Sequence, residues 1–253
     1  MDVVVVVFDT PSNIFESTLD SLLNQDLPLH IQVVDHSSSG DYSRTCQSYP
    51  IIYHHRPENP GYGAGNNRAF QEIQSHAPYF LILNPDVILH RGCLRAMVDY
   101  LNQPSKAEVV VPMVIDPSGE LQYLCHRLPR PWDLLIRRWS FGRKIWRQRH
   151  QEYEYRSQDY RNPFLTETAS GSCLCIKTDL FRELGGFDER FFLYMEDVDL
   201  SKRIHGKSEI IFLPSAKITH HHSRASYHSL HYLIQHIVSI FKYFNKWGWL
   251  PIR

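Results

Sequence analysis

The chain has 253 residues, with 27 Lys and Arg balanced by 27 Asp and Glu, so its net charge gives no indication of nucleic-acid binding. A hydrophobic content of 43% is ordinary for a soluble protein, and the length suits one α/β domain with a sizeable core. The five cysteines include no Cys-x-x-Cys pair, which argues against a zinc ribbon or disulfide framework and favours a reducing cytoplasm. We expect no signal peptide and no membrane span, because the N-terminus lacks a basic region and no apolar run reaches about 18 residues.

Short apolar runs alternate with helical patterns through about residue 115. The run Val3–Phe8 contains no polar residue and predicts a strand buried on both faces of a parallel sheet. The alternation as a whole predicts βαβ units and a mostly parallel sheet. Further strands are predicted at 31–34, 51–53, 79–83 and 109–114, and helical spacing occurs at 14–23, 69–73 and 94–101.

The second half of the chain is less regular. Strands are predicted at 169–176 and 209–213, and helices at 179–184, 198–204 and 230–244. Two glycines directly after the first of these helices predict a glycine cap at its end. We find no internal repeat and no low-complexity linker, so the sequence predicts one compact α/β domain.

Polar residues directly follow three of the predicted strands, at the edge where parallel sheets bind ligands. Asp9 follows the first strand. Asp35 follows the second, where a carboxylate suits a pyrimidine N–H or a ribose hydroxyl, or alternatively caps the next helix or turn. Asn84, Pro85 and Asp86 follow the fourth strand. Proline stops the strand there, and Asp86 then suits a hard cation on a diphosphate, although an Asx turn is the alternative.

A glycine-rich segment, Asn59–Arg68, lies between these points. Its glycines at alternate positions, Gly61, Gly63 and Gly65, let the backbone approach a ligand closely. The segment lacks the Gly-Lys-Ser/Thr of a Walker motif, and it does not follow the first strand as a dinucleotide fingerprint would. We interpret it as another kind of nucleotide-contacting loop.

The densest pattern is an acidic run within apolar sequence. Five carboxylates fall within the twelve residues 188–199, beside the apolar stretch Phe191–Met195. Glu196, Asp197 and Asp199 would crowd the first turn of a helix. They either complement the helix dipole or include a general base whose pKa is raised by apolar walls and neighbouring charges. The apolar neighbours favour the general base.

Three consecutive histidines, His220–His222, follow a strand-like stretch. Successive side chains of a strand point in opposite directions, so at most two of them can share a metal site. A histidine run on the surface is the alternative.

Together these motifs resemble the family 2 glycosyltransferases, whose GT-A fold is a Rossmann-like, mostly parallel sheet flanked by helices. The resemblance runs from Val3 to about Trp249, and the bacterial rhamnosyltransferase-like branch is the most similar. We therefore expect a nucleotide-binding half at 1–118, an acceptor and catalytic half at 119–227 and a helical tail at 228–253. The motifs are SLLNQ at 21–25, VVDHSSSGD at 33–41, NPGYGAGNN at 59–67, LNPDV at 83–87 and GGFDERFFLYMEDVDLSKRI at 185–204.

The resemblance implies a role for each matching residue. Asp197 is implied as the catalytic base, with Glu196 beside it. Asp86 is implied to hold a divalent metal, Mg²⁺ or Mn²⁺, with His220 and His222 as further metal ligands. The implied nucleotide-binding residues are Asp9, Asp35, Gly65, Asn66, Asn67, Arg68 and Asn84.

Three positions depart from the family pattern. Phe8 and Asp9 stand where the family often has Tyr-Asn, and His36 replaces a usual Asn. Asn84 replaces the first carboxylate of the common Asp-x-Asp motif, which leaves only Asp86 for the metal.

The implied reaction is inverting transfer of a sugar, rhamnose in this branch, from a dTDP- or UDP-sugar to a glycan or lipid-linked acceptor of cell-envelope biosynthesis. Two basic and aromatic segments, 132–156 and 228–253, predict peripheral contact with the inner face of the cytoplasmic membrane, with ordinary packed helices as the alternative. The alternative function is a non-catalytic nucleotide-sugar-binding or membrane-surface module. A sugar nucleotidyltransferase is disfavoured, because no glycine-rich basic loop follows the first strand.

Overall fold

The computed structural model describes residues 1–73, 77–133, 144–221 and 230–249. Within these ranges nine strands form one sheet, and packed helices cover both of its faces. The predicted α/β class and single compact domain are therefore confirmed. The elements are β1 Asp2–Val7, α1 Ser12–Leu23, β2 His30–Asp35, α2 Ser43–Gln47, β3 Ile52–His55, α3 Tyr62–Glu72, β4 Tyr79–Leu83, β5 Val87–Leu89, α4 Cys93–Leu101, β6 Ala107–Ile115, α5 Lys144–Tyr153, β7 Phe164–Thr166, β8 Cys173–Lys177, α6 Thr178–Glu183, α7 Glu196–Ile204, β9 Glu209–His220 and α8 Leu230–Trp247.

The first half of the chain forms the parallel part of the sheet. β1 pairs in parallel with β2 on one side and with β4 on the other, and β3 continues beyond β2. All six residues of β1 are buried, as its unbroken valine run predicts for a central parallel strand. Side chains alternate between the faces, so Val3 and Val5 join one core cluster while Val4 and Val6 join the other.

The second half extends the sheet through antiparallel pairs. β8 runs antiparallel to both β4 and β6 and so connects the two halves. β9 is parallel to β6 but antiparallel to β5 and β7. The first residue of β8, Cys173, pairs with the last residue of β4, Leu83. This pairing brings the segment before β8 to the edge where the parallel strands end.

The two faces of the sheet carry separate helical layers. Phe15 of α1 and Leu94 of α4 lie in one buried cluster. Ala69 of α3, Phe181 of α6 and Leu200 of α7 lie in the other. Phe181 is fully buried, and truncating such a side chain to alanine costs roughly 3–5 kcal/mol.

The helix α8 confirms the predicted helical tail. Its Tyr243 and Phe244 are buried against Phe191 and Met195, which belong to the acidic and aromatic run before α7. The two segments expected to contact a membrane, 132–156 and 228–253, lie partly outside the described residues. Within the described ranges no helix has the length and hydropathy to cross a bilayer.

Several boundaries differ from the sequence predictions. The glycine-rich segment is not a loop beyond Gly61, because α3 begins at Tyr62. The strand predicted from residue 169 begins only at Cys173, and the strand predicted to end at Leu213 continues through an irregularity to His220. The elements α2, β5 and β7 escaped prediction because runs of three to five residues are too short to show a period.

Candidate functional site

Three adjacent parallel strands end at one edge of the sheet. β2, β1 and β4 are neighbours, and Val7 of β1 lies level with Asp35 of β2. Asp9 lies two residues beyond Val7, and Asn84 directly follows β4. The strand ends therefore gather the polar residues that the sequence placed after them, as expected for a ligand-binding edge.

Asp35 is held rigidly at the end of β2. It is fully buried; its Oδ1 accepts a hydrogen bond from the Ser37 backbone N–H at 2.7 Å, and its Oδ2 accepts one from the Tyr53 hydroxyl at 2.6 Å. Asp9 is exposed and has φ of 50°, a left-handed conformation that non-glycine residues seldom adopt. The two carboxyls predicted to bind the nucleotide thus differ, since only Asp9 faces solvent.

The first turn of α3 packs tightly against neighbouring segments. A Cβ added at Gly61 would lie 2.3 Å from the Phe192 carbonyl oxygen, and one added at Gly65 would lie 2.7 Å from Nε2 of His36. Gly61 also has φ of 109°. Glycine is therefore required here for close contact between the two halves of the protein and the end of β2.

The polar residues of α3 face three different ways. Asn66 is fully buried and donates to the Tyr62 carbonyl at 2.9 Å. Asn67 donates to the Phe187 carbonyl and accepts from the Phe187 N–H, so it joins α3 to the segment before the acidic run. Arg68 is exposed and pairs with Glu58 at 2.9 Å. Asn67 therefore bridges α3 and the segment before the acidic run, while Arg68 lies on the outer surface of α3.

Asp86 lies beside His220 because of the pairing of β5 with β9. Val87 is opposite His220 in that pair, and the His221 N–H donates to the Asp86 carbonyl at 3.0 Å. The Asp86 Oδ1 is 3.4 Å from Nε2 of His220, which is itself buried. The structure therefore brings together these two predicted metal ligands. The third, His222, lies outside the described residues.

Glu196 and Asp197 begin α7 after a strained turn. Tyr194 and Met195 both have left-handed φ values, 66° and 68°, and this turn directs the two carboxyls inward. Asp197 Oδ2 accepts from the Gly171 N–H at 3.1 Å, and its Oδ1 accepts from the Val198 N–H at 2.8 Å. Within the described part of the chain, neither oxygen is bonded to a cationic side chain.

Gly171 and Ser172 connect the sites of Asp86 and Asp197, and this segment is bonded by Tyr62. The Tyr62 hydroxyl donates to the Gly171 carbonyl at 2.7 Å, while the Gly171 N–H donates to Asp197. The next carbonyl, that of Ser172, accepts from the Asn84 N–H at 2.8 Å. One short segment before β8 thus bonds both to the catalytic candidate and to the turn that carries Asp86.

The pKa shifts of Tyr62, Glu196 and Asp197 agree with the short distances between these groups. Burial raises the pKa of Tyr62, and the charges of Glu196, Asp197 and Asp86 raise it further. Burial also raises the pKa of Glu196 well above its ordinary value, with a contribution from the charge of Asp197. Burial raises the pKa of Asp197 against the opposing effect of the Gly171 and Val198 N–H groups. The three carboxyls therefore lie within electrostatic reach of a single phenol.

Several buried polar atoms in this region have no hydrogen-bond partner within the described part of the chain. They are Nε2 of His36, Oγ of Ser37, Oδ1 of Asn66 and Oε2 of Glu196. Buried polar groups are normally bonded, so such a group of atoms indicates a site for a polar ligand. The His36 Nδ1 is 2.7 Å from the Arg56 carbonyl, so Nδ1 carries the proton and Nε2 accepts when the ring is neutral.

Asp86 and His220 fit a divalent cation that is also coordinated by the bound substrate. Among the described residues no group of three or more His, Cys, Asp or Glu side chains is arranged around a common metal position. Asp86 and His220 supply one carboxylate oxygen and one imidazole nitrogen, 3.4 Å apart. Mg²⁺ and similar cations commonly take one or two protein ligands and complete their shell with phosphate oxygens and water.

The sequence missed Tyr62, Gly171 and Ser172 as parts of this site. Tyr62 stands within the recognised glycine-rich motif, but its hydroxyl bonds 109 residues away. Gly171 and Ser172 carry no sequence signal, because their contribution is made by backbone groups.

Comparison with known proteins assigns the chain to a family. The sequence profile of glycosyl transferase family 2 matches residues 2–185. An N-acetylglucosaminyl-diphospho-decaprenol L-rhamnosyltransferase of Mycobacterium tuberculosis is 29% identical over 244 residues, which cover 88% of this chain and 76% of the relative. The rhamnosyltransferase WbbL of Escherichia coli is 24% identical, over 96% of this chain and 92% of the relative.

A solved structure shows the same fold. GalNAc-T7, determined with UDP, GalNAc and Mn²⁺, superposes with a TM-score of 0.63 at 13% identity. The match covers 87% of this chain but only 43% of that larger chain. At this identity the likeness establishes the fold, and the matched profile establishes the family. The chain belongs to glycosyl transferase family 2 and has its GT-A fold.

Proposed function

We propose that this protein is a metal-dependent, inverting glycosyltransferase that moves a sugar from a nucleoside diphosphate to an acceptor hydroxyl. The observation that supports this most is the junction at Gly171 and Ser172, which links the Asp197 carboxyl to the turn that carries Asp86. A sugar bound between these carboxyls would have its leaving group on one side and its attacking hydroxyl on the other.

The leaving group is the nucleoside diphosphate, which departs with negative charge. Asp86 and His220 would hold a divalent cation on it, and such a cation acts as a Lewis acid that neutralises this charge. The pairing of β5 with β9 supports this role, because it brings the Asp86 carboxylate beside the His220 ring.

The attacking group is the acceptor hydroxyl. Its oxygen forms a bond to the anomeric carbon as the bond from that carbon to the diphosphate oxygen breaks, and its proton passes to Asp197. Displacement from the opposite side inverts the anomeric configuration, and no covalent enzyme intermediate forms. The raised pKa of Asp197 makes its carboxylate a stronger base than an exposed aspartate. Glu196, beside it, is buried and has a raised pKa of its own.

The nucleotide would bind at the ends of β1, β2 and β4. Its pocket would be lined by Asp9, Asn84 and the first turn of α3 around Gly65 and Asn66. The buried Asp35 would lie beneath this pocket. The His36 and Ser37 atoms without described partners offer hydrogen bonds to base or ribose. The names of the two relatives support rhamnose as the transferred sugar. The family resemblance implies a dTDP- or UDP-sugar as the donor.

The acceptor we propose is a lipid-linked glycan of the cell envelope. The Mycobacterium relative is named for a diphospho-decaprenol acceptor, and it matches 88% of this chain. An enzyme acting on such a lipid works at the inner face of the cytoplasmic membrane without needing to span it.

A thermal-shift screen tests the donor side of this proposal. UDP, dTDP and GDP are compared with and without Mn²⁺ or Mg²⁺ on the wild type, on Asp86→Ala and on the exposed surface control Asp179→Ala. We expect one nucleotide to raise Tm only with metal, by the equivalent of about 3 kcal/mol at a hundredfold excess over Kd, in the wild type and the control alone. Stabilisation by no nucleotide would contradict the proposal. Metal-dependent binding without any transfer would favour the non-catalytic binding module.

A further inference from the structure

The helix α8 has two faces with different partners. Its inner face is fastened to the acidic and aromatic run: the Ser239 hydroxyl donates to the Leu193 carbonyl at 2.8 Å, and Lys246 bonds to Asp199 at 2.6 Å. The Trp247 ring nitrogen also donates to Asp199, at 2.8 Å. Movement of α8 would therefore be transmitted to the residues that begin α7.

The outer face of α8 is apolar and exposed. Ile234 is 51% exposed, Ile237 44% and Phe241 54%. These residues are three and four positions apart, so they form one stripe along the helix. Leu230, 72% exposed, continues the stripe at one end, and Trp249 packs against Phe241 with ring centroids 5.3 Å apart at the other. From Leu230 to Phe241 the stripe is roughly 17 Å long at 1.5 Å per residue.

The charged side chains of α8 itself are of one sign. Residues 230–249 contain no Asp and no Glu. Lys242 is exposed directly beside Phe241, and its ammonium reaches the Arg190 carbonyl. Lys202 is exposed near the end of the helix, with its ammonium 5.9 Å from the centre of the Trp247 ring. A partner with negative charge and an apolar interior would complement both features.

We propose that the outer face of α8 lies in the headgroup region of an anionic bilayer, with the stripe from Leu230 to Phe241 inserted. A continuous apolar stripe, a cationic border and a terminal tryptophan are the features by which amphipathic helices bind such surfaces. A second copy of this chain fits less well, because it would bring the same cations, Lys242 and Lys202, together.

The purpose of this docking rests on the proposed lipid-linked acceptor. The inner face of α8 holds the segment from Asp188 to Asp199, and burial together with the charge of Asp9 raises the pKa of Tyr232 near the other end of the helix. The helix thus runs from the catalytic segment towards the nucleotide edge. A bilayer bound on its outer face would place the acceptor lipid beside the cleft.

Vesicle sedimentation tests the docking surface. The wild type is compared with Ile234→Gln/Phe241→Gln and with a matched control, Ile52→Gln/Leu165→Gln, whose parent residues are 56% and 54% exposed on strands remote in sequence. Vesicles contain either phosphatidylcholine alone or equal amounts of phosphatidylcholine and phosphatidylglycerol. We expect the wild type to bind the anionic vesicles preferentially, the α8 variant to lose about tenfold or more in partition, and the control to lose less than about twofold.

Two results would overturn the proposal. One is equal partition of the α8 variant and the wild type, with Tm values showing that both are folded. The other is a wild-type dimer on gel filtration that the α8 variant abolishes, since that would make the stripe an interface between copies. Nucleotide stabilisation measured without lipid distinguishes failure of the docking inference from failure of the proposed function. If the nucleotide still stabilises the protein but the protein does not bind vesicles, only the docking inference is wrong. If the protein binds vesicles but no nucleotide stabilises it, the proposed function is contradicted.

Discussion

Two aspartates on the same helix, Asp197 and Asp199, have opposite surroundings. Asp199 is fully buried, and three side chains donate to it: Lys246, Trp247 and Arg203. Asp197 is only partly buried and accepts from backbone N–H groups. Two residues of a helix turn through about 200°, so neighbouring acids of one run face different parts of the molecule.

These different surroundings divide the carboxyls of the acidic run into two groups. Asp188 resembles Asp199: its bond to Arg190 lowers its pKa, and Lys246 joins the two carboxyls. Glu196 and Asp197 instead have raised pKa values. The carboxyls paired with cations hold α8 in place, while Glu196 and Asp197, which lack cationic partners within the described chain, are the candidates for the proposed chemistry.

The largest effect on stability is expected for Asp199→Ala. Removing this carboxyl leaves Arg203 without its counter-charge and Lys246 paired with Asp188 alone, and breaking such a buried pair costs about 3–5 kcal/mol. The free energy of unfolding is measured by urea denaturation. The control is Asp179→Ala, because that carboxyl is 97% exposed and pairs with Arg182 at the surface, where the cost is about 0–1 kcal/mol. Equal losses in the two variants would contradict the structural role of Asp199.

A smaller effect, on catalysis, is expected for Tyr62→Phe. The change removes the hydroxyl that fixes the Gly171 peptide, and so weakens the N–H bond that favours the charged form of Asp197. We expect kcat to fall about tenfold, the equivalent of about 1.4 kcal/mol, and the acidic limb of the pH profile to move to higher pH. The KM for the donor should change little.

The matched control for that variant is Tyr79→Phe. The Tyr79 hydroxyl donates to Asn102, a residue of the turn after α4 rather than of the cleft. It should leave the pH profile unchanged. A Tyr62→Phe enzyme with an unaltered profile would show that the Gly171 peptide does not position Asp197.

The smallest effect, with the opposite sign, is expected for Glu196→Gln. Burial raises the pKa of Glu196 in the folded state, so the folded protein binds more protons than the unfolded chain, and stability falls as pH rises above the ordinary glutamate range. Replacement by neutral Gln should therefore stabilise the protein by about 1 kcal/mol near neutral pH and have little effect in acid. Tm measured across this pH range checks the sign. The control is Glu183→Gln, which changes an exposed carboxyl. A Glu196→Gln variant that is less stable than the wild type at neutral pH would contradict the raised pKa of Glu196.

The sequence predicted the first half of the fold well because β1, β2 and β4 are buried on both faces. In a chain where strands and helices alternate, an unbroken apolar run such as Val3–Val7 predicts a buried strand. Asp9, Asp35 and Asn84 were then candidates because they follow the ends of such runs. The family resemblance then supplied the roles of Asp86 and Asp197, which composition alone left open. Its implied nucleotide role for Arg68 stays a prediction, and the outward ion pair of Arg68 with Glu58 does not favour it.

The rest depended on contacts between distant residues. The acidic run was recognised as a unit, but its two groups of carboxyls were not distinguished, because two of the three donors to Asp199 lie 47 and 48 residues later. The first part of α3 was predicted as a loop, with helix only at 69–73, because glycines lower helix propensity, whereas Gly63 and Gly65 permit close packing that compensates. The Tyr62 bond to Gly171 depends on a peptide group that no side-chain pattern marks.

The division of the acidic run is tested most directly by sugar transfer with Asp197→Asn beside nucleotide binding by the same variant. The change keeps the size of the side chain and removes its ability to take a proton. We expect transfer to fall about 10²- to 10⁴-fold while metal-dependent nucleotide binding and Tm stay near wild type. Transfer at the wild-type rate by Asp197→Asn would contradict the assignment of this carboxyl as the base.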